Sequence, residues 1–178
     1  MHIELLRDAT RQMPAIPNAD QVTSLIIWHC KYESLASLSA FTNLTALKIA
    51  SYPDQSLKPL EKLNKLEWLS VLHFPKVNDL APLAKLRALV SLELATLPSW
   101  DASGKRQLVA SLQPLAKLPR LAFLGLLGVI PEDKSLSVLE ECRALSTAKV
   151  SGYLAAEMKR YYAASGVENA HVPSFPEA

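Results

Sequence analysis

Leu57-Lys58-Pro59-Leu60-Glu61-Lys62-Leu63-Asn64-Lys65-Leu66-Glu67-Trp68-Leu69-Ser70-Val71 decides the fold. Leucines fall at every third position from Leu57 to Leu69, and the period then shortens, with one residue between Leu69 and Val71. A three-residue spacing suits a tight helical return, and a two-residue spacing suits a strand with one buried face. Return followed by strand is one coil of a solenoid, a unit that cannot bury its apolar residues alone.

The ladder recurs along the chain. Leu80, Leu83, Leu86, Leu89, Leu92 and Leu94 repeat it, as do Leu112, Leu115, Leu118, Leu121, Leu124 and Leu126. Upstream stand Leu35, Leu38, Phe41, Leu44, Leu47 and Ile49; downstream, Leu136, Leu139, Cys142, Leu145, Ala148 and Val150. Val22, Leu25 and Ile27 form a truncated first copy. Measured between strand starts, from 25 to 47, 69, 92, 124 and 148, the steps are 22, 22, 23, 32 and 24 residues. Start signals accompany the returns: Ser34, Ser56, Asp79, Ser111 and Ser135 each precede the first leucine of a return, where a side-chain oxygen can cap a free N–H. Pro59, Pro82 and Pro114 follow three residues later, inside the first turn, where a missing N–H costs least.

These six copies, covering about residues 19–153, resemble the leucine-rich-repeat family, in its short class of about 22 residues. The resemblance implies an α/β fold, a single right-handed horseshoe with a parallel β-sheet on its concave face and short helical or 3-10 returns on its convex face. The chain departs from the family pattern where an asparagine usually stands, three residues past each strand's second core position. Cys30, Tyr52, Phe74, Leu97, Val129 and Tyr153 hold those places, so apolar fill replaces an asparagine ladder.

One domain over 1–178 is expected, with an N-terminal cap over 1–21, about six repeats over 22–153 and a C-terminal helix and tail over 154–178. Residues 3–12 read as an amphipathic turn or two of helix ended by Pro14. Leu154 to Ser165 read as a helix stopped by Gly166. Val167 to Val172 are expected to add an irregular edge strand, beyond which Pro173 and Pro176 discourage pairing and leave a mobile tail.

Charge is nearly balanced, 19 Lys and Arg against 17 Asp and Glu, without the basic excess of a dedicated nucleic-acid binder. No apolar run approaches the roughly 20 residues of a spanning helix, and the first residues lack a signal-peptide core. A soluble, cytoplasmic protein is expected. Cys30 and Cys142, about five strand spacings of roughly 4.8 Å apart, are too distant for a disulfide and too few for a zinc site.

No catalytic or cofactor motif emerges, and no enzyme, cofactor or metal is expected. Gly128 to Ser135 approach a phosphate loop, but Asp133 stands where the second glycine is needed. A surface turn into the Ser135-capped return is the better reading. His29 and His73 occupy equivalent places two coils apart, at roughly 10 Å, too far for one ion. Lys62, Lys85 and Lys117, with Lys65 and Arg120 beside them, form a ridge in register that reads as the solvated convex face.

The concave face is where partner binding is expected. Residues between and beside the core leucines point onto it, and such positions are normally polar. Here they include Ile26, Trp28, Trp68, Leu72, Phe123 and Leu127, with His29, His73, Lys48, Glu93 and Lys149 among them. An apolar patch of this kind marks a binding surface unless the rings pack together or a loop or terminus covers them. The 32-residue step supplies a covering candidate: it adds a loop over residues 98–106, with Trp100 near its exposed tip, at the rim where strands end. These features point to a protein-interaction module of inhibitory, immunity-type or regulatory kind, its partner an unidentified protein. The alternatives are nucleic-acid or small-molecule binding on the same face, or an accessory domain of a larger assembly. Charge argues against nucleic acid, since the face holds Lys48, Lys149 and Glu93 but no arginine.

Overall fold

A computed structural model describes residues 1–176. Ten strands follow in chain order: β1 (His2–Leu6), β2 (Ser24–Trp28), β3 (Ala46–Ala50), β4 (Trp68–Leu72), β5 (Ser91–Ala95), β6 (Gln107–Val109), β7 (Phe123–Leu127), β8 (Val129–Pro131), β9 (Thr147–Ser151) and β10 (Glu168–Asn169). Eight make one parallel sheet in the order β1-β2-β3-β4-β5-β7-β9-β10, while β6 and β8 pair separately. Register is unbroken: Leu25, Leu47, Leu69, Leu92, Leu124 and Ala148 align as one rung, and Ile27, Ile49, Val71, Leu94, Leu126 and Val150 as the next. Every member of the first rung is 0% exposed. Fully burying one leucine stabilises by about 1.5–3 kcal/mol, so these rungs are the axis of the core.

Opposite the sheet run the returns. Ala36–Ala40, Lys58–Leu60, Ala81–Lys85 and Ser137–Glu141 are 3-10 turns, and Gln113–Ala116 is a short α-helix. Each buries the leucine at its centre or end: Leu38, Leu60, Leu83, Leu115 and Leu139. All five expected caps are made. The oxygens of Ser34, Ser56, Asp79, Ser111 and Ser135 accept a bond from the backbone N–H two residues on, at 2.8–3.3 Å. Lys62, Lys85 and Lys117 stand exposed on this side, and Arg120 reaches Glu67 at 3.7 Å.

Where the family's asparagine is missing, Tyr52, Phe74, Val129 and Tyr153 are buried. Two of these replace part of the lost hydrogen bonding: Tyr52 Oη–H donates to the Ser56 carbonyl at 3.0 Å and Tyr153 Oη–H to that of Val129 at 2.8 Å. Burial pushes both phenols well above their ordinary range.

The N-terminal end departs from the sequence expectation. Residues 3–12 are not helical: His2–Leu6 form β1, paired in parallel register with Ser24–Trp28. Ile3 lies 22 residues before Leu25, one full period, and pairing along the first coil's edge satisfies a row of N–H and C=O groups that a helix would leave open. Beyond it Asp8 accepts a bond from Tyr32 Oη at 2.8 Å, and Met13 and Ile16 pack on the core.

At the other end, the helix Ala155–Ser165 buries Tyr161 and stops at Gly166, whose φ of 67° is left-handed. The edge strand that follows is two residues, Glu168–Asn169, rather than six. Residues 170–176 then turn back over the sheet; Glu177 and Ala178, the last of the expected mobile tail, lie outside the described residues. Among the described residues no helix is long and apolar enough to cross a membrane. Cys30 and Cys142 are both free thiols, and burial raises Cys142 to about 11.

Candidate functional site

Strand alternation turns three residues of each coil away from the core, and unbroken register stacks them into three rows across the face. The first row runs His2, Ser24, Ala46, Trp68, Ser91, Phe123, Thr147. The second is Glu4, Ile26, Lys48, Ser70, Glu93, Gly125, Lys149, and the third Leu6, Trp28, Ala50, Leu72, Ala95, Leu127, Ser151. A fourth position ends each strand in left-handed backbone: Arg7, His29, Ser51, His73, Gly128 and Gly152, with φ between 51° and 91°. There the chain leaves the sheet toward the next return. Thr96 breaks this series, and at that coil the chain instead runs extended through Leu97 into the insertion.

The twelve residues expected to bind a partner divide between two environments. Ile26, Lys48, Trp68 and Phe123 line clefts shared with residues 173–176 of the chain's own tail. Trp68 is 9% exposed. Its Nε1–H donates to the Pro173 carbonyl at 3.2 Å, and the Phe175 ring meets it edge-on at 5.0 Å between centroids. The terminus, not the 98–106 loop, is therefore what covers this tryptophan.

Toward the other rim the face stands more open. Trp28 is half-buried, with Lys48 Nζ 5.0 Å above its ring and His29 edge-on at 5.3 Å. Leu72 and Leu127 flank Ala95 in the floor of a cleft of about 510 Å³, walled by Pro98 and Asp101 on one side and Glu93, Lys149 and His171 on the other.

The insertion is ordered. It opens with a helix, Pro98–Ala102, turns at Gly104 with φ 73°, and continues as β6, which pairs with β8 of the following coil. Trp100 is not an exposed tip: it is half-buried, its ring edge-on to His73 at 5.1 Å, with Lys105 Nζ 6.0 Å from its centroid. This burial, with the charge of His29, lowers His73 from the ordinary imidazole range. Behind it Gln107 is buried, its Nε2 donating to the Val77 carbonyl at 2.7 Å. Arg106 pairs with Asp101 at 3.2 Å and lies over Gly152, where a β-carbon would meet its Nε at 2.6 Å.

Two imidazole–hydroxyl pairs on this face have the appearance of chemistry: His29 Nδ1 lies 2.9 Å from Ser51 Oγ, and His2 Nδ1 lies 2.9 Å from Ser24 Oγ. Among the described residues no carboxylate bonds the other ring nitrogen of His29, the group that a hydroxyl nucleophile's base needs to hold its tautomer; His2 has one, Glu4 Oε1 at 3.2 Å from its Nε2, but the hydroxyl it meets belongs to Ser24, which is buried. His29 and His73 join no cluster of three metal-ligating side chains among the described residues.

No family model matches this chain, and no curated protein does so at a significant level. Among solved structures it is similar to internalin C2 from Listeria monocytogenes, at 19% identity and a TM-score of 0.53, over 85% of this chain and 71% of that one. An internalin F from the same organism aligns at 15% identity and a TM-score of 0.36, over 82% of this chain and 59% of the other. The repeat ladder, the eight-stranded parallel sheet and the likeness to internalin C2 agree, and the chain is a leucine-rich-repeat solenoid.

Proposed function

We propose that this chain is a protein-binding module without catalytic activity, taking its partner on the third row of the concave face and on the helix Pro98–Ala102 at its rim. The observation that carries the reading is the half-exposed line of Trp28, Leu72 and Leu127 on a strand face, bordering a cleft walled by the insertion. Such positions are normally polar, and a contiguous apolar line with an aromatic anchor is the composition of a binding hot spot. Glu93 and Lys149, at the cleft's second-row wall, supply opposite charges that fix a partner's register more than they add affinity. A strand face offering such a surface suits an inhibitory, immunity-type or regulatory role. Balanced charge and the absence of arginine from the three rows favour protein over nucleic acid.

Capture from native extract with the wild-type chain beside Leu127→Lys and Trp28→Glu tests this. Each variant is expected to melt within a few degrees of wild type and to lose at least thirtyfold in affinity, the cost of removing a hot-spot residue worth more than about 2 kcal/mol. Folded variants that retain the same partner at the same yield would move the site off this row.

A further inference from the structure

The tail shows what the first row accepts. From Asn169 to Phe175 the chain passes from β10 to the ring of Trp68 on β4 in six residues. The segment therefore lies across the strands, with Pro173 and Pro176 preset for extended backbone. Phe175 is the anchor: beyond Trp68, its ring meets His2 on β1 at 6.2 Å.

This occupant is held loosely and fits imperfectly. Beyond Ala170 the described tail makes no backbone–backbone hydrogen bond. Ser91 Oγ, in the cleft that Pro173 and Pro176 also line, and Thr147 Oγ1, in the same row, are buried without a hydrogen-bond partner among the described residues. Each hydroxyl can both donate and accept, the described tail does neither with it, and an unpaired buried hydroxyl is a cost that a better ligand removes. Few contacts and exposed backbone place such a segment among the first to open.

We propose that the first row is a peptide groove held by the chain's own tail, and that its external ligand is an extended protein segment carrying a phenylalanine beside prolines, which displaces residues 173–176. This rests on the reading of the concave face as a binding surface and names the chemistry of what binds there. The tail is then a tethered competitor, raising the threshold for partners by occupying the Phe175 position at high effective concentration.

Indole N–H signals of the full chain test the proposal, with the Trp68 signal assigned through Trp68→Phe. In wild type and in Phe175→Tyr, which keeps a ring, the Trp68 N–H is expected to be protected from hydrogen exchange; in Phe175→Ala it is expected to exchange at least tenfold faster, with far-UV circular dichroism unchanged. A synthetic peptide of residues 170–178 should then bind the Phe175→Ala chain and restore protection. It should bind wild type at least tenfold more weakly, and a peptide with alanine for the phenylalanine should restore nothing. Equal binding to both chains, or binding to neither, would overturn the proposal. Protection that grows with protein concentration would also overturn it, by making the occupant the tail of a second copy. Failure here leaves the third-row variants able to lose their partner, so the two readings fall separately.

Discussion

Trp68 and Trp28 stand on the same face of one sheet, two strands apart, yet one lies under Phe175 and Pro173 and the other is half-open beneath Lys48. Their strands differ little in local pattern. What separates them is row: Trp68 is in the first, which the returning tail crosses, and Trp28 is in the third, beside the rim. An aromatic ring on a strand's outward face is thus evidence of something covering it, and the covering group need not come from another molecule.

The largest effect that bears on this comparison is its inward control. Leu69→Ala, next to Trp68 but turned into the core, should destabilise by about 2–5 kcal/mol, read from the denaturant midpoint. Trp68→Ala removes the ring that the tail packs on, and should cost about 1–3 kcal/mol; Trp28→Ala should cost less than about 1 kcal/mol. If Trp28 proved the costlier of the two, the tail would not be a real cover. A double-mutant cycle sharpens the point: Trp68→Ala with Phe175→Ala should show a coupling of about 0.5–1.5 kcal/mol, and Trp28→Ala with Phe175→Ala should be additive.

A smaller effect concerns the insertion's contact with the third-row rim. Because burial lowers the pKa of His73, the unfolded chain takes up that proton more readily than the folded one. The stabilising contribution is fully present above about 6.5 and is lost as pH falls through that value toward the folded pKa. Ring-carbon shifts should place the His73 midpoint below 6.5, and Trp100→Ala should move it back upward. A midpoint unmoved by Trp100→Ala would separate the imidazole from the insertion. Least affected should be Lys62→Ala, on the exposed ridge, with a shift under about 0.5 kcal/mol in the same denaturant series.

The repeat was legible because each rung is set by local spacing: Leu-x-Leu fixes inward and outward positions, and the serine or aspartate before each return fixes its start. The strand β1 was missed: Ile3 and Leu5 lie one period before Leu25 and Ile27, but no leucine-spaced return links the two pairs, and residues 3–12 read as a short helix. The tail's course was not legible. Its contacts with Trp68 join residues 105 and 107 positions apart, through one carbonyl and one ring, and nothing near Phe175 names Trp68 as its counterpart. Likewise β6 and β8 are three residues each, too short for any alternation to declare them strands, and their pairing exists only once the coils are stacked.

That small second sheet bears on how such a molecule changes over time. The extra residues of one coil are matched by a strand in the next, so the two coils no longer behave as interchangeable parts. Removing residues 99–105 would take away the approach to β6 and disturb its pairing with Val129 and Ile130, whereas an ordinary coil can be dropped or duplicated with its own return. Gly128 and Gly152 deepen the dependence, since a β-carbon on the first would lie 2.4 Å from Thr96 Oγ1 and on the second against Arg106. Residues 96–152 are in this sense one interlocked unit, and deletion or duplication of a repeat should be tolerated on the N-terminal side of Thr96 more readily than beyond it.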